Sequence, residues 1–180
     1  MDAILPLLKE GHRLFGENRV QEASQKWPPI QNQYSDLELH LIGPLQTNKV
    51  KDAIELFDVI ESVDRSRLVL ELAKQWQNSK RRIKKIFIQV NTGHEPQKSG
   101  VLVEDLPALI ELCRQHHLPL TGLMCIPPLQ EDPSSHFQLL CDLAKEYNLS
   151  GLSMGMSADY EQAIAHGATI IRIGTALWSH

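Results

Sequence analysis

Short apolar runs alternate with longer amphipathic stretches along the chain, the rhythm of strands and helices in an α/β fold. Seven runs read as strands: His12 to Phe15, Leu37 to Ile42, Phe57 to Glu61, Ile86 to Asn91, Leu120 to Cys125, Gly151 to Met154 and Thr169 to Ile173. Helices fall between them. Their spacing is clearest at Ser66 to Gln77 (Leu68, Leu72, Trp76), Leu102 to His116 (Leu106, Leu109, Ile110, Cys113) and Ser134 to Tyr147 (Phe137, Leu140, Cys141, Ala144). Gly11 closes an opening helical stretch and Gly167 closes the last helix as a C-cap. Seven strands are one short of a (β/α)8 barrel, which typically takes about 250 residues. A doubly wound open sheet would remove the mismatch, but no G-x-G-x-x-G follows the first strand. Polar and special residues gather instead after nearly every strand: Gly16-Glu17-Asn18, Gly43-Pro44, Asn91-Thr92, Pro127-Pro128, Gly155-Met156-Ser157 and Gly174-Thr175. Loops converging from many strands on one face predict a barrel mouth.

The segment Leu152 to Trp178 reads as strand, tight loop, helix, strand and a second tight loop. Ser157 stands where a strand gives way to a helix, so its hydroxyl and the N–H groups of the first helical turn suit an anion. Gly174-Thr175 offers a second set of donors, with glycine allowing close backbone approach. Arg172, two residues before Gly174, faces the same side by the period of two and needs a partner there. The plainer alternative is a surface arginine on an edge strand beside an ordinary serine helix cap.

Composition narrows the classes. At 180 residues the chain suits one compact domain over residues 1–180, and 42% hydrophobic with 22% charged residues is ordinary for a globular protein. A formal net charge of -4 argues against broad nucleic-acid binding. The local cluster Lys80-Arg81-Arg82 with Lys84-Lys85 precedes the apolar strand Ile86-Phe87-Ile88, so solvated gatekeeper charges are expected there. Cys113, Cys125 and Cys141 show no ligand spacing and read as free packing thiols in a reducing, cytoplasmic setting. Met1 to Glu10 carries neither the cationic start nor the apolar run of a signal peptide, and no membrane span is read. His94, His116, His117 and His136 lack metal spacing, so no metal is assigned.

Four stretches are distinctive together: FGENRVQEA (Phe15 to Ala23), HLIGPLQTNKVK (His40 to Lys51), VNTGHEPQKSGV (Val90 to Val101) and LSMGMSADYEQAIAHGATIIRIGTALW (Leu152 to Trp178). In them the chain closely resembles the pyridoxal-phosphate homeostasis protein family of the YggS/PROSC type, from about Ala3 to Trp178. The resemblance implies a TIM-type barrel of the fold-type III class, like the N-terminal domain of alanine racemase. It implies pyridoxal 5′-phosphate (PLP) as cofactor and a role in PLP homeostasis without established turnover. In the family a first strand with the motif A-V-S-K-T-K-P precedes the first helix, and its lysine forms the Schiff base. No residue here matches that lysine, since Lys9, Lys49, Lys51 and Lys98 fall on other elements or motifs. The expectation is therefore an incomplete barrel of seven strands with weakened, non-covalent binding.

Residue by residue, the resemblance implies a phosphate site from Ser157, with Met156 beside it, and from the Gly174-Thr175 turn. Arg172 corresponds to the arginine near the pyridine nitrogen, where a guanidinium keeps that nitrogen unprotonated. Asn18 looks like a polar contact at the cofactor rim. The chain departs from the family at Trp178-Ser179-His180. His40 and Met124 either line the barrel or pack. Glu17 and Glu22 read as loop or helix-surface charges, Lys98-Ser99-Gly100 as a loop closure, and Asp159 as a first-turn acid turned away from the phosphate.

The leading expectation is thus a cytoplasmic PLP-binding homeostasis protein with no catalytic residue assigned. A regulatory or interaction protein that has lost PLP is one alternative. An amino-acid racemase is another, and it would need the Schiff-base lysine and a second base. The two strands flanking the missing one should present open edges, with self-association or a distorted barrel as the outcome.

Overall fold

The structure is a computed structural model that describes residues 4–79, 83–174 and 177. Its elements run α1 (Ile4–Lys9), β1 (Leu14–Glu17), α2 (Val20–Lys26), α3 (Pro28–Gln33), β2 (Glu38–Leu41), α4 (Val50–Leu56), β3 (Val59–Val63), α5 (Ser66–Asn78), β4 (Lys85–Val90), α6 (Leu106–Gln115), β5 (Leu120–Cys125), α7 (Pro133–Glu146), β6 (Gly151–Met156), α8 (Tyr160–Ala165) and β7 (Ile170–Arg172). Short 3-10 turns at Thr47–Lys49 and Val103–Asp105 lead into α4 and α6.

All seven expected strands form, each parallel to the next, in the order β1-β2-β3-β4-β5-β6-β7. This is the nearly closed (β/α) barrel that the sequence predicts, with β1 and β7 as the sheet's two ends among the described residues. The first strand sits two residues later than expected. His12 and Arg13 belong to the turn after Gly11, whose φ of +91° ends α1, and pairing with β2 begins at Leu14↔Glu38.

Strand periodicity sorts the side chains. Outward positions such as Leu39, Leu41, Ile60, Ile86, Ile88 and Leu123 join the large core beneath the helices. Each helix contributes one buried stripe: Leu68, Val69, Leu72 and Ala73 from α5, and Leu106, Leu109, Ile110 and Cys113 from α6. Burying a side chain of this size contributes about 1.5–3 kcal/mol, so the helices are held mainly by this contact.

Inside the barrel Val59, Phe87 and Met124 form a separate small cluster with Ile126 and Ile170. Phe87 fits because β5 and β6 carry glycine opposite it. A Cβ on Gly151 would lie 2.5 Å from Phe87 Cε1, and one on Gly122 would lie 2.2 Å from the Gly151 carbonyl oxygen. The interior is less covered toward the ends of the sheet: Leu14 on β1 is 40% exposed, and Ile170, Ile171 and Arg172 on β7 are all partly exposed.

Glu17 corrects the sequence reading. It is not a surface charge but a buried acid at the end of β1, accepting from Trp27 Nε1 at 2.7 Å and paired with Lys26. Glu22 does lie at the surface, paired with Arg19. Lys80-Arg81-Arg82 lie outside the described residues. Lys84 and Lys85 carry specific partners, Lys84 pairing with Asp58 at 3.3 Å and Lys85 with Glu38 at 3.5 Å. Among the described residues no helix is long and apolar enough to cross a membrane.

Candidate functional site

The C-terminal ends of the parallel strands share one face, and the loops that leave them are tied to their neighbours. Arg65 after β3 donates from Nη2 to the Leu45 carbonyl in the β2 loop at 2.8 Å. Lys98 after β4 donates to the Pro127 carbonyl after β5 at 3.0 Å and pairs with Glu95 at 2.6 Å, so it does more than close its own loop. Asn91 staples the same loop by accepting from the Glu95 N–H and donating to the Glu95 carbonyl. These ties hold the mouth on a rigid base, where active and binding sites of such barrels lie.

Arg172 is the charged centre of this mouth. Its side chain turns into the barrel from β7 and reaches across β6: Nη1 donates to Ser153 Oγ at 2.7 Å and Nη2 to the Cys125 carbonyl at 2.8 Å. Burial pulls the guanidinium below its ordinary range, and the nearby Glu61, Cys125 and Asp159 oppose that shift. An arginine remains a cation under any such shift. The partner that the sequence required is therefore Ser153, and behind it Glu61, whose Oε2 accepts from Ser153 Oγ at 2.5 Å. Glu61 Oε1 lies 2.5 Å from His40 Nδ1, and His40 Nε2 lies 3.0 Å from Glu38 Oε1.

Glu61, Ser153 and His40 are 0%, 0% and 2% exposed, so a connected polar line runs through the barrel interior from Arg172 at the mouth to Glu38 and Lys85 at the opposite end. His40 lines the barrel rather than packing in the outer core, and Met124 belongs to the inner apolar cluster. Sequence reasoning missed Glu61 and Ser153. The available signal was an acid inside the wholly buried strand Val59–Val63, on an interior position like those of His40 and Arg172.

Ser157 and Met156 stand at the end of β6, and Arg172 and Gly174 on and just after β7, so four of the expected site residues gather on adjacent strands. A Cβ added at Gly174 would meet no atom of the described residues within 4 Å. Thr175 lies outside the described residues. Asn18 is exposed in the bend after β1, on the same rim but at the other end of the strand order. Its backbone is fixed against the β2 loop, because a Cβ on Gly43 would lie 2.2 Å from the Asn18 carbonyl oxygen.

Two details of the phosphate region differ from the sequence reading. Ser157 does not open a helix: residues 157–159 form a turn, Asp159 is the N-cap, and α8 starts at Tyr160. Nor does Asp159 point away. Its Oδ1 accepts from the Met156 N–H at 2.6 Å, which turns the carboxylate back toward the end of β6 and closes the turn that carries Ser157. The Met156 N–H is consequently committed to the protein. Among the described residues no three His, Cys, Asp or Glu side chains are grouped to hold a metal.

Over residues 1–180 the chain matches the family described as alanine racemase, N-terminal domain. It is 42% identical over 179 residues to the pyridoxal phosphate homeostasis protein of Aquifex aeolicus, covering 93% of this chain and 77% of the relative. Identity to the protein of the same name from Pseudomonas aeruginosa is 44% over 176 residues, with 93% and 74% covered. Among solved structures, Synechococcus elongatus PipY with PLP bound superimposes with a TM-score of 0.87 at 36% identity, covering 99% of this chain and 87% of that one. An alanine racemase of Clostridium difficile shares the fold, with a TM-score of 0.75 at 16% identity over 99% of this chain and 47% of the enzyme. The chain belongs to the pyridoxal phosphate homeostasis protein family, within the wider family of the alanine racemase N-terminal domain.

Proposed function

We propose that the barrel mouth around Arg172 binds PLP and that the chain serves PLP homeostasis in the cytoplasm without catalytic turnover. The observation that carries this reading is the guanidinium of Arg172, fixed at both terminal nitrogens by Ser153 and the Cys125 carbonyl at the end of the strands that Ser157 and Gly174 terminate. A relative of 36% identity is described with PLP bound, which supports the same ligand here.

The residues fit the group by their chemistry. Ser157 carries a hydroxyl just after β6 and Gly174 a backbone N–H just after β7, the kinds of donor that a phosphate ester takes. Asn18 extends the rim and Met156 offers an apolar contact. When bound, PLP supplies an electrophilic aldehyde and an electron-withdrawing ring. Arg172 can only donate, so it would meet the lone pair of a ring nitrogen without protonating it. A ring nitrogen so held would be a weaker electron sink than a protonated one. Racemisation would further need an acid and a base facing the substrate. The acids nearest Arg172 are committed to Ser153 and His40 in the case of Glu61 and to the Met156 N–H in the case of Asp159. The partly exposed β7 and Leu14 on β1 also favour self-association along the sheet ends.

Titration with PLP and with pyridoxal, which lacks the phosphate, tests the ligand class. Saturable binding of PLP at least about 10-fold tighter than pyridoxal is expected, the gain of a charge-assisted hydrogen bond. Equal affinity for both would contradict a phosphate site at Ser157 and Gly174.

A further inference from the structure

The line from Arg172 to Glu38 has its proton directions fixed at the Arg172 end and holds one proton between Glu61 and His40. Arg172 Nη1 can only donate, so Ser153 Oγ must accept from it and direct its own hydrogen to Glu61 Oε2. Glu61 therefore presents an unprotonated oxygen to Ser153. Its other oxygen faces His40 Nδ1 at 2.5 Å, while His40 Nε2 faces Glu38 Oε1 at 3.0 Å, so an acceptor stands before each ring nitrogen. Both contacts are hydrogen bonds when the ring carries both protons; with the Nδ1 proton moved to Glu61 Oε1 the same two contacts hold and the pair is neutral, and the raised proton affinity of His40 favours the charged form. Charges then alternate along the barrel: Arg172 positive, Glu61 negative, His40 positive, Glu38 negative, Lys84 and Lys85 positive.

We propose that Ser153 and Glu61 are positioning residues for Arg172, and that the proton held by His40 keeps their grip closed, so that the cofactor end of the barrel is linked to a proton at its far end. This rests on the reading of Arg172 as the group that meets the PLP ring. The groups around His40 are Glu38 on its own strand, Glu61 on β3, Lys84 and Lys85 at the start of β4, and Arg172 through Ser153. On β1 the neighbour in register is Gly16, which brings no charge. Asp159 and Cys125 act on Arg172 from the mouth. The direction of the His40 shift agrees with the geometry: burial works to lower its proton affinity, and the hydrogen bonds and charges of Glu61 and Glu38 outweigh that and raise it. Loss of the proton would set a bare ring nitrogen against a carboxylate, leaving Glu61 a buried charge with Ser153 as its remaining donor.

The test is an NMR titration of the His40 imidazole in the wild-type chain and in Ser153→Ala, Arg172→Met and Glu61→Gln. Removing the Ser153 hydroxyl or the Arg172 charge takes a competing positive or donor group from the Glu61 carboxylate and leaves more of its charge to His40, so the His40 midpoint should rise by about 0.5–1 unit in each. Glu61→Gln removes the charge that holds the proton, and the midpoint should fall. Opposite signs distinguish a linked line from loosened packing, and either of the first two variants suffices if another does not fold. A midpoint unchanged in Ser153→Ala and Arg172→Met would overturn the proposal. PLP affinity is measured on the same samples, with about 10-fold weaker binding expected in Ser153→Ala. If His40 responds but wild-type chain takes up no PLP, the line stands and the cofactor reading fails. PLP uptake with an unresponsive His40 supports the cofactor reading and overturns the line.

Discussion

His40 and Glu61 face each other inside the barrel, Nδ1 to Oε1 at 2.5 Å, with the imidazole 2% and the carboxylate 0% exposed. The pair ties folding to pH. His40 binds its proton more tightly in the folded chain than its ordinary value of 6.5, so its contribution is full below that pH and fades as pH rises through the raised folded value. Glu38 is shifted the other way: burial raises it, but His40, Lys85 and Lys84 prevail and hold it below its ordinary value of 4.5. Its contribution is full above that pH and is lost as pH falls through the depressed value. The urea midpoint of wild-type chain, compared with that of His40→Gln, should decline as pH rises above 6.5, measured by circular dichroism. Parallel curves for the two proteins would show that His40 carries no such linkage.

Phe87 occupies the space that a side chain on Gly151 would need, with 2.5 Å from the missing Cβ to Phe87 Cε1. Gly151→Ala should therefore destabilise the chain by about 1–3 kcal/mol through overpacking. Combining it with Phe87→Leu should recover part of that loss, because the two positions share one contact. Denaturant melts of the single and double variants measure the coupling, and strictly additive effects would contradict the contact.

Cys113 and Cys125 are 0% exposed, and burial pushes both thiols up to about 12; for Cys125 the cation of Arg172 opposes the shift and Asp159 adds to it. Neither should react with iodoacetamide in the folded state near neutral pH. Cys141, only partly buried, should take the single adduct, against three adducts in denaturant, as read by intact mass.

The sheet ends set the expected behaviour in solution. With Leu14 40% exposed and β7 only partly covered, the chain should self-associate with rising concentration. Sedimentation velocity should show the mean mass increase over a concentration series. A cooperative monomer at all concentrations would contradict association through these edges.

Much of this fold was legible because strands and helices carry their own periods. The runs Leu120 to Cys125 and Ile86 to Asn91 recur as β5 and β4 almost residue for residue, and the spacing of Leu106, Leu109, Ile110 and Cys113 marked α6. Arg172 was legible as a charge that needed a partner, but the partner was not. Ser153 and Glu61 lie 92 positions apart and meet only because β3 and β6 face the same interior, a relation set by barrel closure and invisible to any local pattern. Asp159 escapes the local pattern for a related reason: repulsion from a phosphate argues for a carboxylate turned away, whereas this one answers a backbone N–H at Met156 within its own turn. Glu17 likewise reads as surface until α2 brings Trp27 and Lys26 to it.

The most direct test of the central claim is an equilibrium titration of wild-type chain and Arg172→Ala with PLP, followed by cofactor absorbance. Saturation of the wild type near one PLP per chain, with binding weakened by about 10-fold or more in Arg172→Ala, is expected for a site centred on this guanidinium. Indistinguishable curves, or no saturable change with the wild type, would contradict it.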